Sequence, residues 1–295
     1  MKVLVTGVAG QLGYDVMKEL LKRGHEAIGA DLKVDYETSF MYVSMDITNE
    51  EMVKKVINDI HPEAVVHCAA WTAVDAAEEE ENKDKVFKIN SLGTKYIAQA
   101  VKEIDAKMIY ISTDYVFNGQ GDLPWIPDCK EYKPLNYYGK TKLDGELAVS
   151  SLLERYYIVR ISWVFGKNGN NFIKTMLNIG KKFDTLRVVN DQVGTPTYTF
   201  DLSRLLVDMV ETDKYGYYHA TNEGGYISWY DFACEIFKQA NYDTKVIPVT
   251  SEEYGLSKAA RPENSRLDKS KLTKNGFSLL PSWQDALSKY LKEVQ

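Results

Sequence analysis

The feature that most constrains the fold of this chain is a glycine-rich turn that joins a short apolar run to an amphipathic segment near the N-terminus. Val3 to Val5 show the pattern of a buried strand, and Thr6-Gly-Val-Ala-Gly-Gln-Leu-Gly13 follows directly. Residues 11–22 carry apolar side chains at helical spacing, and Gly24 is a typical helix stop. A strand that turns straight into a helix directs backbone N–H groups and the positive end of the helix dipole at one point, where phosphate binds. The pattern therefore predicts a dinucleotide-binding turn made by Gly7, Gly10, Gln11, Leu12 and Gly13.

Short apolar runs and longer amphipathic segments alternate through the first half of the chain. The predicted strands are at residues 27–30, 64–67, 107–111 and 157–160. The predicted helices are at residues 50–60 and 83–104, with another that begins near 136. Strands that alternate with helices form a parallel sheet covered on both faces, so the predicted fold class is α/β, a Rossmann-type doubly wound parallel sheet.

Beyond about residue 165 the alternation loosens, and glycine, asparagine and aromatic residues become frequent. Helical patterns continue at residues 200–212, 229–240 and 282–293, with a strand-like run at 246–249. We therefore expect residues 1–165 to form the dinucleotide-binding domain, which includes the catalytic residues. Residues 166–295 would form a smaller mixed α/β domain, mainly for substrate binding, with some segments that return to pack on the first domain.

Composition excludes several classes of partner. The formal net charge is -6 at pH 7, whereas binding of a nucleic-acid backbone requires a basic surface. No stretch reaches the roughly 18 apolar residues that a membrane span requires. Cys68, Cys129 and Cys234 lack metal-like spacing and are typical of reduced cytoplasmic thiols. We expect a cytoplasmic protein without nucleic-acid, membrane or metal partners, and the sequence leaves open whether it forms a homodimer.

A catalytic pair is predicted in Tyr138-Gly-Lys-Thr-Lys142, because residues four apart are neighbours on one helix face. Reduction of a ketone requires a hydride on carbon and a proton on oxygen, and a tyrosine is a suitable acid if its pKa falls from about 10. A nearby ammonium favours the phenolate, so Lys142 is expected to lower the pKa of Tyr138. Thr113 follows the strand at 107–111 at its carboxyl end, where open α/β sheets bind ligands. Thr113, Tyr138 and Lys142 are therefore the predicted catalytic residues, with Lys142 also holding a nicotinamide ribose.

The choice between the two nicotinamide dinucleotides depends on the end of the second strand. Asp31 lies where an acid bonds the adenosine ribose hydroxyls, which would repel a 2′-phosphate and favour NADH. Lys33, two residues on, would attract that phosphate. The sequence therefore predicts NADPH or NADH without choosing between them. In Cys68-Ala-Ala70, the small residues Ala69 and Ala70 would let the cofactor lie close to the backbone.

Over nearly its whole length the chain resembles the dTDP-4-dehydrorhamnose reductases, a family of extended short-chain dehydrogenases/reductases. In the first half the resemblance is carried by Gly10-Gln-Leu-Gly13, Asp46-Ile47, Ser112-Thr-Asp-Tyr-Val-Phe117 and Tyr138-Gly-Lys-Thr-Lys142. In the second half it is carried by Trp163-Val-Phe-Gly166, Asn171-Phe172, Asp191-Gln-Val-Gly-Thr-Pro-Thr197 and Arg261-Pro262.

This resemblance implies hydride transfer from NAD(P)H to C4 of dTDP-4-dehydro-L-rhamnose, which gives dTDP-L-rhamnose. It implies that Asp46 and Ile47 flank the adenine, that Thr72 lies near the nicotinamide ribose, and that Asn90 orders the cofactor site. The implied substrate-binding residues are Thr113, Asp114, Trp163, Asn171, Thr197 and Arg261. The last three are expected at the nucleotide-diphosphate end, where a guanidinium suits phosphate geometry.

Four alternatives share parts of this pattern. A sugar dehydratase of the same superfamily would resemble Ser-Thr-Asp-Glu after the fourth strand, but Tyr115 stands in place of that glutamate. An epimerase, or a reductase of another nucleotide sugar, would share the glycine turn and the Tyr138/Lys142 pair. A regulatory subunit like that of methionine adenosyltransferase would bind the dinucleotide without turnover, although the intact catalytic residues favour an enzyme.

Overall fold

A seven-stranded parallel sheet forms the centre of the molecule, as a computed structural model of residues 1–32 and 40–294 shows. Within this part of the chain, the elements of the first half are β1 (Lys2–Thr6), α1 (Gln11–Lys22), β2 (Glu26–Asp31), β3 (Met41–Ser44), α2 (Glu50–Ile60), β4 (Ala64–His67), α3 (Glu80–Phe87), α4 (Thr94–Glu103), β5 (Lys107–Thr113), α5 (Tyr137–Leu152) and β6 (Tyr156–Ile161). Those of the second half are β7 (Val164–Phe165), α6 (Phe172–Gly180), β8 (Thr185–Val189), β9 (Val193–Gly194), β10 (Thr197–Tyr198), α7 (Thr199–Val210), β11 (Gly216–His219), β12 (Asn222–Glu223), β13 (Ile227–Ser228), α8 (Trp229–Ala240), β14 (Lys245–Val249), α9 (Ser251–Tyr254), α10 (Ser270–Lys274), β15 (Leu280–Ser282) and α11 (Trp283–Val294).

The strand order of the main sheet is β11-β6-β5-β4-β1-β2-β3. The chain builds outward from β1 to β3, then returns to the other side of β1 and continues through β4, β5 and β6. The order therefore reverses between β1 and β4, and a crevice opens there at the carboxyl ends of the strands. This topology confirms the predicted α/β, Rossmann-type fold.

Helices cover both faces of the sheet, as the continuous apolar strands require. On one face, α1 and α7 bury Val16, Leu20 and Leu206 against the sheet. On the other face, α2, α4 and α5 bury Ile57 and Ile97. A separate core lies between α6, α8 and α11.

Segments from the second half of the chain pack on the sheet and helices formed by the first half. Strand β11 pairs in parallel with β6, and α7 packs on α1. The side chain of Arg23, the residue after α1, donates to Asp208 on α7 over 2.6 Å. The boundary expected at residue 165 stays a prediction.

The predicted helix at 83–104 is not one continuous α-helix. It begins at Glu80 as α3, passes through a π-helical turn at Lys88–Gly93 and continues as α4. A π turn places one extra residue in the helical path, and such turns are frequent at functional sites. Among residues 1–32 and 40–294, no helix is long and apolar enough to cross a membrane.

Candidate active site

A cleft of about 940 Å³ lies at the carboxyl ends of the parallel strands, between the sheet and residues 162–170. The structure brings sixteen of the predicted site residues to its walls. These are Gly7, Gly10, Gln11, Leu12, Gly13, Asp31, Asp46, Ile47, Ala69, Ala70, Thr72, Thr113, Asp114, Tyr138, Lys142 and Trp163.

The glycine turn forms one end of the cleft. Gly7 has a φ of 71°, and a Cβ on it would lie 2.6 Å from the backbone nitrogen of Ala69. A Cβ on Gly13 would overlap the carbonyl oxygen of Gly7. Only glycine therefore lets α1 begin this close to β1. Gly10 caps α1 without a side chain, so the cleft wall here is backbone and the positive end of the helix dipole, which fits a dinucleotide pyrophosphate.

The end of β2 places a carboxylate beside this turn. Asp31 accepts a hydrogen bond from the backbone nitrogen of Ala9 over 2.9 Å, and another from that of Leu32 over 2.8 Å. These bonds hold the carboxylate at the cleft wall, in the position expected for contact with a ribose. Lys33 lies outside the described residues.

The three predicted catalytic residues meet at the middle of the cleft. Thr113 ends β5, and its hydroxyl donates to Asp114 over 3.0 Å. Tyr138 and Lys142 lie on α5, which begins after Asn136 accepts a capping bond from the backbone nitrogen of Gly139. The Lys142 ammonium is 3% exposed and donates to the carbonyl oxygen of Ile111 over 2.7 Å.

Burial controls the protonation of this group. It raises the pKa of Tyr138 well above its ordinary value, and the carboxylate of Asp114 raises it further, while a hydrogen bond with Thr113 opposes them. The lowered pKa predicted from the Tyr138/Lys142 spacing is wrong, because burial and Asp114 outweigh any effect of the lysine. Burial also lowers the pKa of Lys142 to about 7 and raises that of Asp114 to about 6. Tyr138 is therefore a phenol at neutral pH, which is the form that a proton donor requires.

A buried ion pair beneath Lys142 is a feature that sequence reasoning missed. Glu146 accepts from the guanidinium of Arg160 through both oxygens, over 2.8 and 2.7 Å, and both side chains are fully buried. Glu146 also accepts from Ser112 over 2.5 Å. The pair ties α5 to β5 and β6 directly behind the catalytic residues. An acid four residues after Lys142 on the same helix face was the signal available in the sequence.

Asn90 lies behind the cleft wall, within the π-helical turn. Its amide accepts from the backbone nitrogen of Trp71 over 2.8 Å and donates to the carbonyl oxygen of Trp71 and the hydroxyl of Thr141. Thr141 in turn donates to the carbonyl oxygen of Tyr138. Asn90 thus connects the loop after β4 with the catalytic helix, and it does not itself line the cleft.

Asn171 and Thr197, expected at the nucleotide-diphosphate end, are not brought into the cleft. Asn171 caps α6, and its amide donates to Gln11, Gly166 and Tyr290. Thr197 is fully buried, and its hydroxyl donates to the carbonyl oxygen of Ser162 over 2.6 Å. The polar atoms of both side chains are satisfied within the protein, so the structure gives them a structural role in place of the expected substrate contact.

Arg261 lies at the rim of the cleft. Its guanidinium pairs with Asp75 over 2.6 Å and lies 3.4 Å from the hydroxyl of Tyr115, which lines the cleft. Several further lining residues were not predicted as site residues. They include Val74, Lys85, Lys88, Ile89, Ser162 and Trp229.

A backbone cradle for a dinucleotide that ends beside a half-buried, protonated tyrosine is how short-chain dehydrogenases/reductases serve hydride and proton transfer to a carbonyl. The chain is an NAD(P)H-dependent oxidoreductase of this class. The family model described as RmlD substrate binding domain matches residues 1–295, and the chain belongs to this family.

Individual relatives cover the full length of the chain. The spore coat polysaccharide biosynthesis protein SpsK of Bacillus subtilis is 38% identical over 292 residues, 99% of this chain and 97% of that protein. A crystal structure of a dTDP-4-dehydrorhamnose reductase from Clostridium acetobutylicum has a TM-score of 0.91 at 41% identity, and covers 100% of both chains. A dTDP-4-dehydrorhamnose reductase from Bacillus anthracis, solved in complex with NADP, has a TM-score of 0.90 at 40% identity over 99% of this chain and 100% of that one.

Proposed function

We propose that this protein reduces the C4 ketone of dTDP-4-dehydro-L-rhamnose to the hydroxyl of dTDP-L-rhamnose, with NADPH or NADH as the hydride source. The observation that carries this proposal is that the glycine turn and the group Thr113, Tyr138 and Lys142 open into one cleft. The relatives named for this reaction support the choice of substrate. A cytoplasmic location and a homodimer stay predictions.

The residues of the chain divide the chemistry between them. The bound dinucleotide supplies the hydride. Tyr138 holds the proton that the carbonyl oxygen takes up, and its raised pKa keeps it a protonated phenol at neutral pH until charge develops on that oxygen. Thr113, whose hydroxyl donates to Asp114 in this structure, would turn that donor to the same oxygen and stabilise the charge that develops there. Lys142 holds the nicotinamide ribose next to Tyr138, so cofactor placement and proton delivery share one helix face.

Arg261 is the residue we assign to the diphosphate. A guanidinium binds phosphate oxygens in a bidentate manner, and Arg261 lies at the cleft rim beside Tyr115. In this structure the guanidinium of Arg261 forms an ion pair with Asp75. Substrate binding would therefore exchange a carboxylate for a diphosphate on the same side chain.

Elimination chemistry is disfavoured at this site. A dehydratase needs a second acid where this chain has Tyr115. Burial raises the pKa of Tyr115 to about 12, so Tyr115 stays a neutral phenol near pH 7 and does not replace the carboxyl group that the glutamate of a dehydratase would supply. The position suits reduction, which needs a single proton donor.

The test is oxidation of NADH and NADPH by the purified protein, in parallel, with and without dTDP-4-dehydro-L-rhamnose. We expect sugar-dependent oxidation that falls by at least about 100-fold in Tyr138→Phe, while NADPH binding is retained, because only the proton donor is removed. Tyr137→Phe is the matched control, since Tyr137 is the adjacent residue of α5 and does not line the cleft. Tight cofactor binding without oxidation by the wild-type protein would favour the regulatory-subunit alternative. Near-normal turnover of Tyr138→Phe would refute the proton route.

A further inference from the structure

Two tryptophans from distant parts of the sequence stack on each other at the wall of the cleft. The ring centres of Trp163 and Trp229 are 3.7 Å apart, with an angle of 16° between the planes. Both residues line the cleft and both are half-buried. Trp163 follows β6, on the same edge of the sheet as Thr113, so the stack lies on the substrate side of the catalytic residues.

The backbone holds Trp163 in an unusual conformation. Its φ is 50°, in the left-handed region that a bulky residue adopts only when its surroundings enforce it. Thr197 provides part of that restraint, because its backbone nitrogen donates to the carbonyl oxygen of Trp163 and its hydroxyl to that of Ser162. A Cβ on Gly194 would lie 3.1 Å from the Trp163 ring, so glycine leaves the space that the ring occupies.

Trp229 is fixed independently at the start of α8. Ser228 and Asp231 form a capping box around it, and Ser228 belongs to the ribbon in which β13 pairs with β9. That ribbon also contains Gly194, which leaves the space that the Trp163 ring occupies. Behind the stack, the ring centre of Phe172 lies 4.6 Å from that of Trp229. Trp229 therefore supports Trp163 from a separate, rigid element.

We propose that Trp229 is a positioning residue for the sugar, because it holds the Trp163 ring as a flat wall against which the apolar face of the hexose packs. The inference rests on the proposed function and adds to it the residue that sets the shape of the sugar site. A deoxyhexose presents C–H groups and a methyl group, and a fixed indole face is complementary to such a surface. A preset wall also avoids the entropy cost of ordering a ring on binding.

The test compares two ligands that differ only in the sugar, dTDP-L-rhamnose and dTDP, by calorimetric titration of the NADPH-loaded protein. We expect Trp229→Ala to weaken binding of dTDP-L-rhamnose by about fivefold and to leave binding of dTDP unchanged. Trp229→Phe should restore most of the affinity, because a ring is restored. Tyr230→Ala is the matched control: Tyr230 is the next residue of α8, does not line the cleft, and should bind both ligands as the wild type does.

The outcomes separate this inference from the proposed function. A wild-type preference for dTDP-L-rhamnose over dTDP that persists unchanged in Trp229→Ala would overturn the inference alone. Equal losses for both ligands would also overturn it, since they would indicate a general change of shape. A wild type that shows neither the preference nor sugar-dependent oxidation would overturn the proposed function as well. If the alanine variant does not fold, Trp229→Phe against Trp229→Leu decides the question with the same two ligands.

Discussion

The buried pair of Glu146 and Arg160 should contribute strongly to the free energy of unfolding. In Glu146→Gln the shape of the side chain is kept and its charge is lost. Arg160 then stays fully buried without its counter-charge, although it keeps a hydrogen bond to the carbonyl oxygen of Pro127 over 3.0 Å. Removal of one partner of a buried pair costs about 3–5 kcal/mol. We expect the lower end, about 3 kcal/mol, because the amide oxygen still accepts one bond from the guanidinium.

The assay is urea unfolding at pH 7, in which the fitted midpoint and slope give the free energy of unfolding. Asp59→Asn is the control, because Asp59 pairs with Lys55 on α2 and both side chains are exposed. An exposed pair of this kind contributes about 0.5 kcal/mol or less. If Glu146→Gln and Asp59→Asn had the same small effect, the reasoning about the buried pair would be refuted.

The same substitution has a second, chemical consequence. Glu146 raises the pKa of Lys142 against the larger, opposing effect of burial. Loss of the carboxylate should therefore move the pKa of Lys142 below about 7, so turnover that depends on the ammonium would decline at a lower pH than in the wild type. A pH profile of sugar-dependent oxidation, corrected for the folded fraction, would show whether the decline of turnover at high pH shifts to lower pH. If that decline stayed at the same pH, Glu146 would act on stability only.

Two further substitutions test the cofactor and lysine assignments. We expect Asp31→Ala to improve the use of NADPH relative to NADH, because the Asp31 carboxylate, which accepts from the backbone nitrogen of Ala9, would repel a 2′-phosphate. The ratio of kcat/KM for the two cofactors measures this preference. An unchanged ratio would mean that Asp31 does not face the ribose. We expect Lys142→Met to abolish most turnover and to raise the free energy of unfolding at pH 6. The pKa of Lys142 falls from 10.5 to about 7 on folding, so the cost of burying its charge is fully present below pH 7 and disappears as pH rises towards 10.5. Unfolding at pH 6 and pH 9 should show the larger gain at pH 6, and a gain that grows with pH would contradict the sign.

Local sequence patterns were sufficient for most of the central sheet. The buried strands around β1, β4 and β5 are continuous apolar runs, and their helices have clear apolar periodicity, so neither depends on distant residues for recognition. Strand β3 escaped prediction because it lies at the sheet edge, where Met41 is 61% exposed and the apolar pattern is weak. Strand β11 escaped because Gly216-Tyr-Tyr-His219 becomes a strand by pairing with β6, which lies far away in the sequence.

The site was predictable where a single motif determines both the position of a residue and its chemical group. The glycine turn and the Tyr138/Lys142 spacing are examples, since a strand end or a helix face determines where the groups lie. Asn171 and Thr197 show the limit of this reasoning, because a motif does not reveal whether a side chain enters the cleft or bonds to its own backbone. Trp229 and Arg160 show another limit: their contacts join elements that are adjacent only after folding. The raised pKa of Tyr138 depends in the same way on burial, which no spacing encodes.

The two sides of the cleft rest on elements of different size, and this bears on how the family can change substrate. The proton-transfer residues lie on β5 and α5, which belong to the packed sheet layers. Trp163 and Trp229 are held instead by short ribbons, β7 with β10 and β9 with β13. A substitution in a two-residue ribbon disturbs few core contacts, whereas one beside Lys142 disturbs a buried ion pair. We therefore expect that changes of sugar specificity concentrate around Gly194 and Ser228 while the chemistry stays constant, as is usual when sites are built on a common fold.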